Sequence, residues 1–535
     1  MLNLLSEKTL ERLNGRNGQS ELSGRNGLSE QSEQNGGRSG QNGGEQKAAG
    51  GAPVTVLQIG EGNFLRGFFD WMIQSCRDQG LFQGSIAVTQ PRPSGKPKID
   101  ALAAQDGLYT LVTRGLENGQ AVERKEMISV FAEAFDPYTN WTRLMELAVS
   151  PELRFVVSNT TEAGIAYRPE ALTGEPIVSF PGKLAYLLYQ RYLKYEGAAD
   201  KGLILLPCEL LDRNGDALRD VVLKYAADWG FPETFRQWVL EHNRFLNSLV
   251  DRIVTGYPGD EQAEAWFAEW GYRDPMLTTA EPYHLWAIEA EPELEELLPL
   301  RKAGLNVFWT TDLKPFAQRK VRILNGAHTW MAPLGLLHGV EHVRELLEHE
   351  TLGRAVRETV REDVLPTLPY DGSELADYAA AVFERFGNPF IRHRLADIAM
   401  NSLSKFRTRL LPTLAFYAER GEAVPERLAL GLAGLLRYYR VRRAEDGSFV
   451  GTTLAGGGTY AVRDDQALLE LVAGIWAEAA QGAASTAQTE AAVRKLLAQT
   501  AIWGADLSGW PSLAERTAKI IAAWDNKALD NQEEA

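Results

Sequence analysis

The chain has 535 residues, 44 % hydrophobic and 9 % aromatic with thirteen Trp, enough apolar material for a large core in a few big domains. Lys+Arg 56 against Asp+Glu 71 gives a net charge of −15, which repels phosphate backbones and anionic lipid; with no basic cluster, nucleic acid is excluded as a partner. Cys76 and Cys208 are too few for a disulfide framework or a Cys-based zinc site, and no signal-like N-terminus or run of about eighteen apolar residues occurs, so the expectation is a cytoplasmic protein with no membrane partner.

Residues 1–51 hold no Phe, Trp or Tyr, and GRNGQSE at 15–21 returns as GRNGLSE at 24–30. Such a tract buries too little apolar area to offset its ordering entropy, so it reads as a disordered low-complexity extension with at most a frayed helical turn or two over 1–13. Structure is expected from VTVLQI at 54–59, an apolar run of buried-strand type. GEGNFLRG follows at 60–67, then FFDWMIQSCRDQG at 68–80 as a helix ending on Gly80. Further strands are expected at 86–89, 155–158 and 203–206, with helical patterns between them, as at 183–195. Strands alternating with helices imply an α/β unit with a mostly parallel, doubly wound sheet over 52–305. From about 310 strand patterns fade and amphipathic stretches at 342–360, 374–386 and 467–480 dominate, so 306–525 reads as a mostly α-helical domain.

Gly60 and Gly62 follow the first strand directly and open a helix. A strand–glycine turn–helix unit aims backbone N–H groups at a pyrophosphate: the first glycine makes the turn, and the second lets the phosphate approach. The spacing departs from GxGxxG, because Leu65 holds the third position and the next glycine is Gly67. The second strand runs out in Thr89-Gln90-Pro91-Arg92 with no acid for the NAD ribose. Gln90 can bind a ribose hydroxyl and Arg92 can accept a 2′-phosphate, which leaves NAD and NADP both open here.

A second motif is KVRILNGAH at 320–328. On an α-helix Lys320, Asn325 and His328 fall within an arc of roughly 140° and share one side. Those side chains suit carbonyl reduction: a lysine protonates the forming alkoxide, an asparagine amide hydrogen-bonds it as charge develops, and a histidine holds a neighbouring hydroxyl. Spacing alone fits a solvated basic face and an Asn-Gly turn equally well. His338, His342 and His349 have a spacing able to ligate zinc, but no HExxH is present, and they read as ordinary helix histidines with no metal.

KxxxxNxxH at 320–328 and GxGxFxRG at 60–67 resemble the signatures of the long-chain mannitol dehydrogenase family. TTEAGIAY at 160–167, CELLDRNG at 208–215 and NSLVDRIV at 247–254 are similar to it as well, so the likeness covers roughly 54–520. SFPGKLAYLLYQRY at 179–192, LPCELLDRNGDALR at 206–219 and NPFIRHRLADIAMNSLSKFRTR at 388–409 look like the members acting on sugar acids.

The resemblance implies a Rossmann-like NAD-binding domain over 52–305 and a substrate-binding helical domain over 306–525, with the active site between them. It implies an NAD-dependent dehydrogenase of a small sugar acid, with polyol dehydrogenases and a non-catalytic sensor as alternatives. Gly60, Gly62, Asn63, Phe64, Arg66, Gly67 and Gln90 would bind the cofactor. Lys320 would be the general acid/base, Asn325 and Asn214 the polarising amides, and His328 a substrate ligand. Lys405, with Arg407 as a weaker candidate, would hold the substrate. Asp397 stands where relatives acting on neutral polyols have arginine, and Ala317 where they have an acid beside the lysine. Asp251 and Arg252 match a family motif that suits a structural ion pair as well as a catalytic role.

Overall fold

The computed structural model describes residues 2–14, 51–479 and 486–533; the repeat tract at 15–50 lies outside them. The chain divides into two units, one of residues 1–114 and 122–313, the other of 115–121 and 314–535.

The first unit is built on six parallel strands: β1 Val54–Ile59, β2 Ser85–Thr89, β3 Phe131–Ala134, β4 Phe155–Ser158, β5 Ile204–Pro207 and β6 Arg244–Phe245. Their order is β3-β2-β1-β4-β5-β6, the doubly wound Rossmann arrangement. Successive residues point to opposite faces, and both faces are covered. Val56, Ile86, Val88, Phe155 and Val157 join a cluster with Phe69 and Met72 from helix α1, Phe69–Asp78. Leu57, Ala87, Val156 and Leu205 join another with α2, Phe180–Lys194, and α3, Asn214–Asp228. This two-sided burial is why the strands read as apolar runs.

The sequence pattern missed β3, β6 and two smaller sheets. One is four-stranded and includes the hairpin Tyr109–Glu117 and Gln120–Ile128; the other is three-stranded, from Ser248–Asp251, Leu285–Glu289 and Val307–Thr310. The outer hairpin strand is largely exposed and rich in charge, so no apolar run announces it.

The expectation of disorder over 1–51 fails at its start. Asn3–Leu4 pairs in parallel with Tyr272–Arg273, and Ser6 Oγ accepts from Thr9 N at 3.2 Å to cap a helix over 7–14. Leu5 is fully buried beside Leu108 and Tyr272, with Leu10 and Leu13 packed on the rim. The segment lacks aromatics of its own and docks on those of the unit, a partnership that composition alone does not reveal.

The second unit is helical, with a small antiparallel sheet of Arg442–Arg443, Phe449–Thr452 and Thr459–Val462 among its described residues. Its centre is α4, Gly326–Leu337, in which every residue except Leu336 is buried. Gly431 and Gly434 of the helix Glu426–Tyr438 lie where a side chain would collide with Trp330 and Leu334, so the two helices pack at close range. The stretch at 342–360 is two helices, Val343–Glu348 and Glu350–Glu358, because His349 is extended between them and its Nδ1 accepts from Leu352 N.

Candidate active site

The glycine loop sits at the carboxyl end of β1, beside β4, where the strand order reverses and open α/β sheets bind ligands. Gly60 has φ +138°, and a Cβ there would stand 2.9 Å from Asn159 O, so the turn requires glycine. Gly62 precedes the short helix Asn63–Arg66, and a Cβ on it would meet nothing within 4 Å. Gly60, Glu61 and Gly62 line a cavity of about 630 Å³ with Arg92 and Lys98 on one side and Thr160 on the other. Glu209, 2 % exposed, fixes the Thr160 side: its carboxylate accepts from Thr160 N at 2.9 Å, Thr160 Oγ1 at 3.0 Å and Ser158 Oγ at 3.1 Å. A glycine edge, a helix start and a cation pair around an open volume fit a dinucleotide pyrophosphate.

The other expected cofactor ligands face elsewhere. Arg66 is buried: its guanidinium donates to Met276 O, to Asn63 Oδ1 at 2.6 Å and to Glu61 O at 3.3 Å, and lies over the Tyr109 ring. It is an internal strut, and Asn63 is its partner. Phe64 stacks on Phe68, and Gly67 is small because a Cβ would stand 2.7 Å from Val254. Gln90 is buried, with Nε2 donating to Asp136 Oδ1 at 2.6 Å, and it does not line the cavity. These five shape the loop without reaching the cavity.

An acid does stand beside the end of β2, brought there by the glycine loop. A Cβ on Gly95 would stand 2.5 Å from Gln90 Cβ and 2.6 Å from Glu61 Oε1, so Gly95 leaves room for the Glu61 carboxylate beside β2. Burial raises the Glu61 pKa, opposed by its own backbone N–H, Lys98 and Arg92. The signal was in GEG, an acid between the two glycines.

In the second unit Lys320–Asn325 is a π-helical segment that runs directly into α4. Its i→i+5 bonds place Lys320 and Asn325 about one turn apart on one side, a closer alignment than the α-helical arc expected from the sequence. His328 follows in α4, 7 % exposed, its ring 4.3 Å from Phe386 and 4.8 Å from His393. Burial holds its pKa well below 6.5, helped by His393, Arg409, Arg385 and Lys405. The ring is therefore neutral, suited to exchanging hydrogen bonds with a hydroxyl, and its Nε2 has no partner among the described residues.

Lys405 and Arg407 separate. Both lie on the helix α5, Ser402–Arg409, but 405 and 409 share a face, whereas the exposed Arg407 lies against Gly504. Arg409, which was not singled out from the sequence, acts on His328 together with Arg385. The i,i+4 relation to Lys405 was the available signal.

Asn214 does not serve as a second polarising amide. It is 1 % exposed; its Nδ2 donates to Pro207 O, Glu209 O and Ser248 O at 2.9, 3.1 and 3.1 Å, and its Oδ1 accepts from Gly215 N and Ser248 N, both at 2.9 Å. Every polar atom is spent on backbone, so Asn214 is a staple of the β5–α3 turn. Arg252 is also structural: it donates to Gly67 O at 2.7 Å and Glu281 O at 2.9 Å and covers the Trp71 ring, and burial lowers its pKa to about 10. His342 and His349 cap helices, and His338 Nδ1 bonds Leu334 O. No helix among the described residues is long and apolar enough to cross a membrane.

Residues 54–302 match the mannitol dehydrogenase Rossmann domain, and residues 312–525 match the mannitol dehydrogenase C-terminal domain. The chain belongs to the mannitol dehydrogenase family. Within the family it is 42 % identical to the altronate oxidoreductase of Bacillus subtilis (strain 168), over 88 % of this chain and 92 % of that one. The altronate oxidoreductase of Pectobacterium carotovorum is also 42 % identical, over 88 % and 94 %. In fold the chain is similar to Pseudomonas fluorescens mannitol 2-dehydrogenase, solved in a ternary complex with NAD and D-mannitol, at TM-score 0.61 and 23 % identity over 90 % and 94 % of the two chains.

Proposed function

We propose that this chain is a sugar-acid oxidoreductase that reduces D-tagaturonate to D-altronate with NADH, reversibly, in hexuronate breakdown. The observation that carries the reading is the Lys320–Asn325 segment running into a buried neutral His328, in a chain that aligns along 92 % of an altronate oxidoreductase. Bound in the glycine-edged cavity, NADH supplies the hydride. The chain's own groups do the rest. Lys320 delivers a proton to the ketone oxygen as it becomes an alkoxide, and Asn325 Nδ2 hydrogen-bonds that oxygen while charge develops. His328 orients an adjacent hydroxyl. In the reverse direction Lys320 takes the proton back.

Glu61 beside Gln90 supports NAD, because a carboxylate there accepts from ribose hydroxyls and repels a 2′-phosphate. Arg92 and Lys98 on the same cavity support the rival cofactor, NADPH. Two buried free thiols suit a reducing, cytoplasmic setting. The test is oxidation of NADH and of NADPH with tagaturonate, fructuronate and fructose in parallel. The reading expects the highest kcat/KM for NADH with tagaturonate; a clear preference for fructose removes the sugar-acid assignment.

A further inference from the structure

We propose that Arg409, seconded by Lys405, is the anchor that binds the substrate's carboxylate, an assignment that rests on the sugar-acid reading above. A sugar acid needs a cation at its charged end, and the second unit contains several arginines. What distinguishes Arg409 is the lack of an acid combined with a fork left largely unspent.

Two other buried or half-buried guanidinium groups of this unit have carboxylate partners. Arg427 pairs with Asp363 at 2.9 Å, and Arg437 with Asp525 at 3.2 Å. Arg409 has none among the described residues. Its single hydrogen bond runs from Nη1 to Thr329 Oγ1 at 3.1 Å, which leaves four of the five N–H donors of its fork unspent. Burial lowers its pKa, with no compensating anion. Arg322 also lacks an acid, but it donates to the hydroxyls of both Thr413 and Thr367 and is more fully committed.

Lys405 repeats the pattern one turn earlier on α5. Its Nζ donates to Ile398 O at 2.8 Å and makes no ion pair among the described residues. The acid that acts on it, Asp464, is taken up by the Tyr439 hydroxyl and by Leu403 N at 3.4 Å. His328, whose Nε2 is buried without a partner, is held neutral partly by these same two cations. Half-buried cations without counter-charge are costly to maintain unless an anion joins them, and a planar fork matches a carboxylate with two parallel bonds.

The position suits the chemistry. Thr329 Oγ1, the acceptor for Arg409, itself donates to Asn325 O at 2.9 Å. The guanidinium is thereby tied to the turn that carries the polarising amide. A hexuronate extending from Asn325 and His328 would end on Arg409 and Lys405, whereas a neutral ketose would leave both unpaired.

The experiment measures kcat and KM for wild type, Arg409→Lys and Arg409→Gln with tagaturonate and with fructose, and checks folding by NADH-binding fluorescence. Arg409→Gln is expected to raise the tagaturonate KM roughly 100-fold and kcat far less, with fructose KM changed under about threefold. Arg409→Lys keeps the charge but loses the fork, and is expected near 10-fold on tagaturonate. Should Arg409→Gln fail to bind NADH, the lysine variant decides the matter. An unchanged tagaturonate KM, or equal losses on both substrates, overturns the anchor while leaving the sugar-acid reading intact. Wild-type turnover of fructose but not tagaturonate overturns that reading, and the anchor with it.

Discussion

Lys320 and Asn325 open and close one π-helical segment, so a single i→i+5 turn separates the proposed proton donor from the proposed oxyanion amide. The widened turn is the positioning device. Lys320→Ala is expected to lower kcat with tagaturonate by roughly 10²–10⁴ at every pH, and Asn325→Ala by about 10²–10³. NADH affinity, read by fluorescence, should stay within a few-fold of wild type for both. Near-normal turnover by Lys320→Ala would remove the general-acid role.

The glycine turn after an apolar strand and the Lys–Asn–His spacing were legible in the sequence because each is local. A buried parallel strand is a run of apolar residues, and a helix carries residues at the Lys–Asn–His spacing on one side. The residues that were misread are those whose role depends on distant chain. Asn214 looked like a catalytic amide until Ser248 and Pro207 were seen to saturate it. Arg66 reads as a cofactor ligand in the sequence, but in the fold Met276 O and the Tyr109 ring enclose it. Glu61 and Arg409 were passed over for the opposite reason, since their value comes from what the fold brings close or leaves unpaired. The docking of Leu5 and the hairpin at 109–128 depend on tertiary partners in the same way.

His328 gives a pH signature with a definite sign. The folded state holds its ring well below 6.5, while the unfolded chain protonates near 6.5. Below that pH the unfolded state binds a proton that the folded state does not, so stability is present above about 6.5 and is lost as pH falls. His393, also lowered by burial, adds in the same direction. His328→Gln removes one such proton and should flatten the acid side by up to about 1.4 kcal/mol per pH unit. Calorimetric melting of both proteins from pH 8 to pH 5 reads this difference; parallel curves would mean that the folded ring titrates normally.

Asn214 now makes a structural prediction in place of a catalytic one. Asn214→Ala would remove the acceptor of two buried N–H groups and one donor from each of three carbonyls, of which Pro207 O keeps Ser248 Oγ and Glu209 O keeps Leu211 N, a loss of about 1–3 kcal/mol. A melting temperature lowered by several degrees is expected, with kcat per folded molecule within about threefold of wild type. A kcat loss of 10² at unchanged melting temperature would restore the oxyanion role that its geometry speaks against.

The loop glycines make opposite predictions, which separates fold from ligand. At Gly67 an added methyl would press on Val254 at 2.7 Å, so Gly67→Ala should melt lower whether or not cofactor is present. At Gly62 the same methyl meets nothing within 4 Å, so Gly62→Ala should melt like wild type without cofactor. Its methyl would instead occupy the edge of the cavity along which a pyrophosphate must approach the backbone. The Kd for NADH, from fluorescence titration, should then rise by roughly 10-fold or more, and the stabilisation that saturating NADH gives wild type should shrink in proportion. A Gly62→Ala protein that binds NADH like wild type would mean that the pyrophosphate does not pass over this glycine, and the cavity would lose its assignment as the cofactor site even if the family relationship stands.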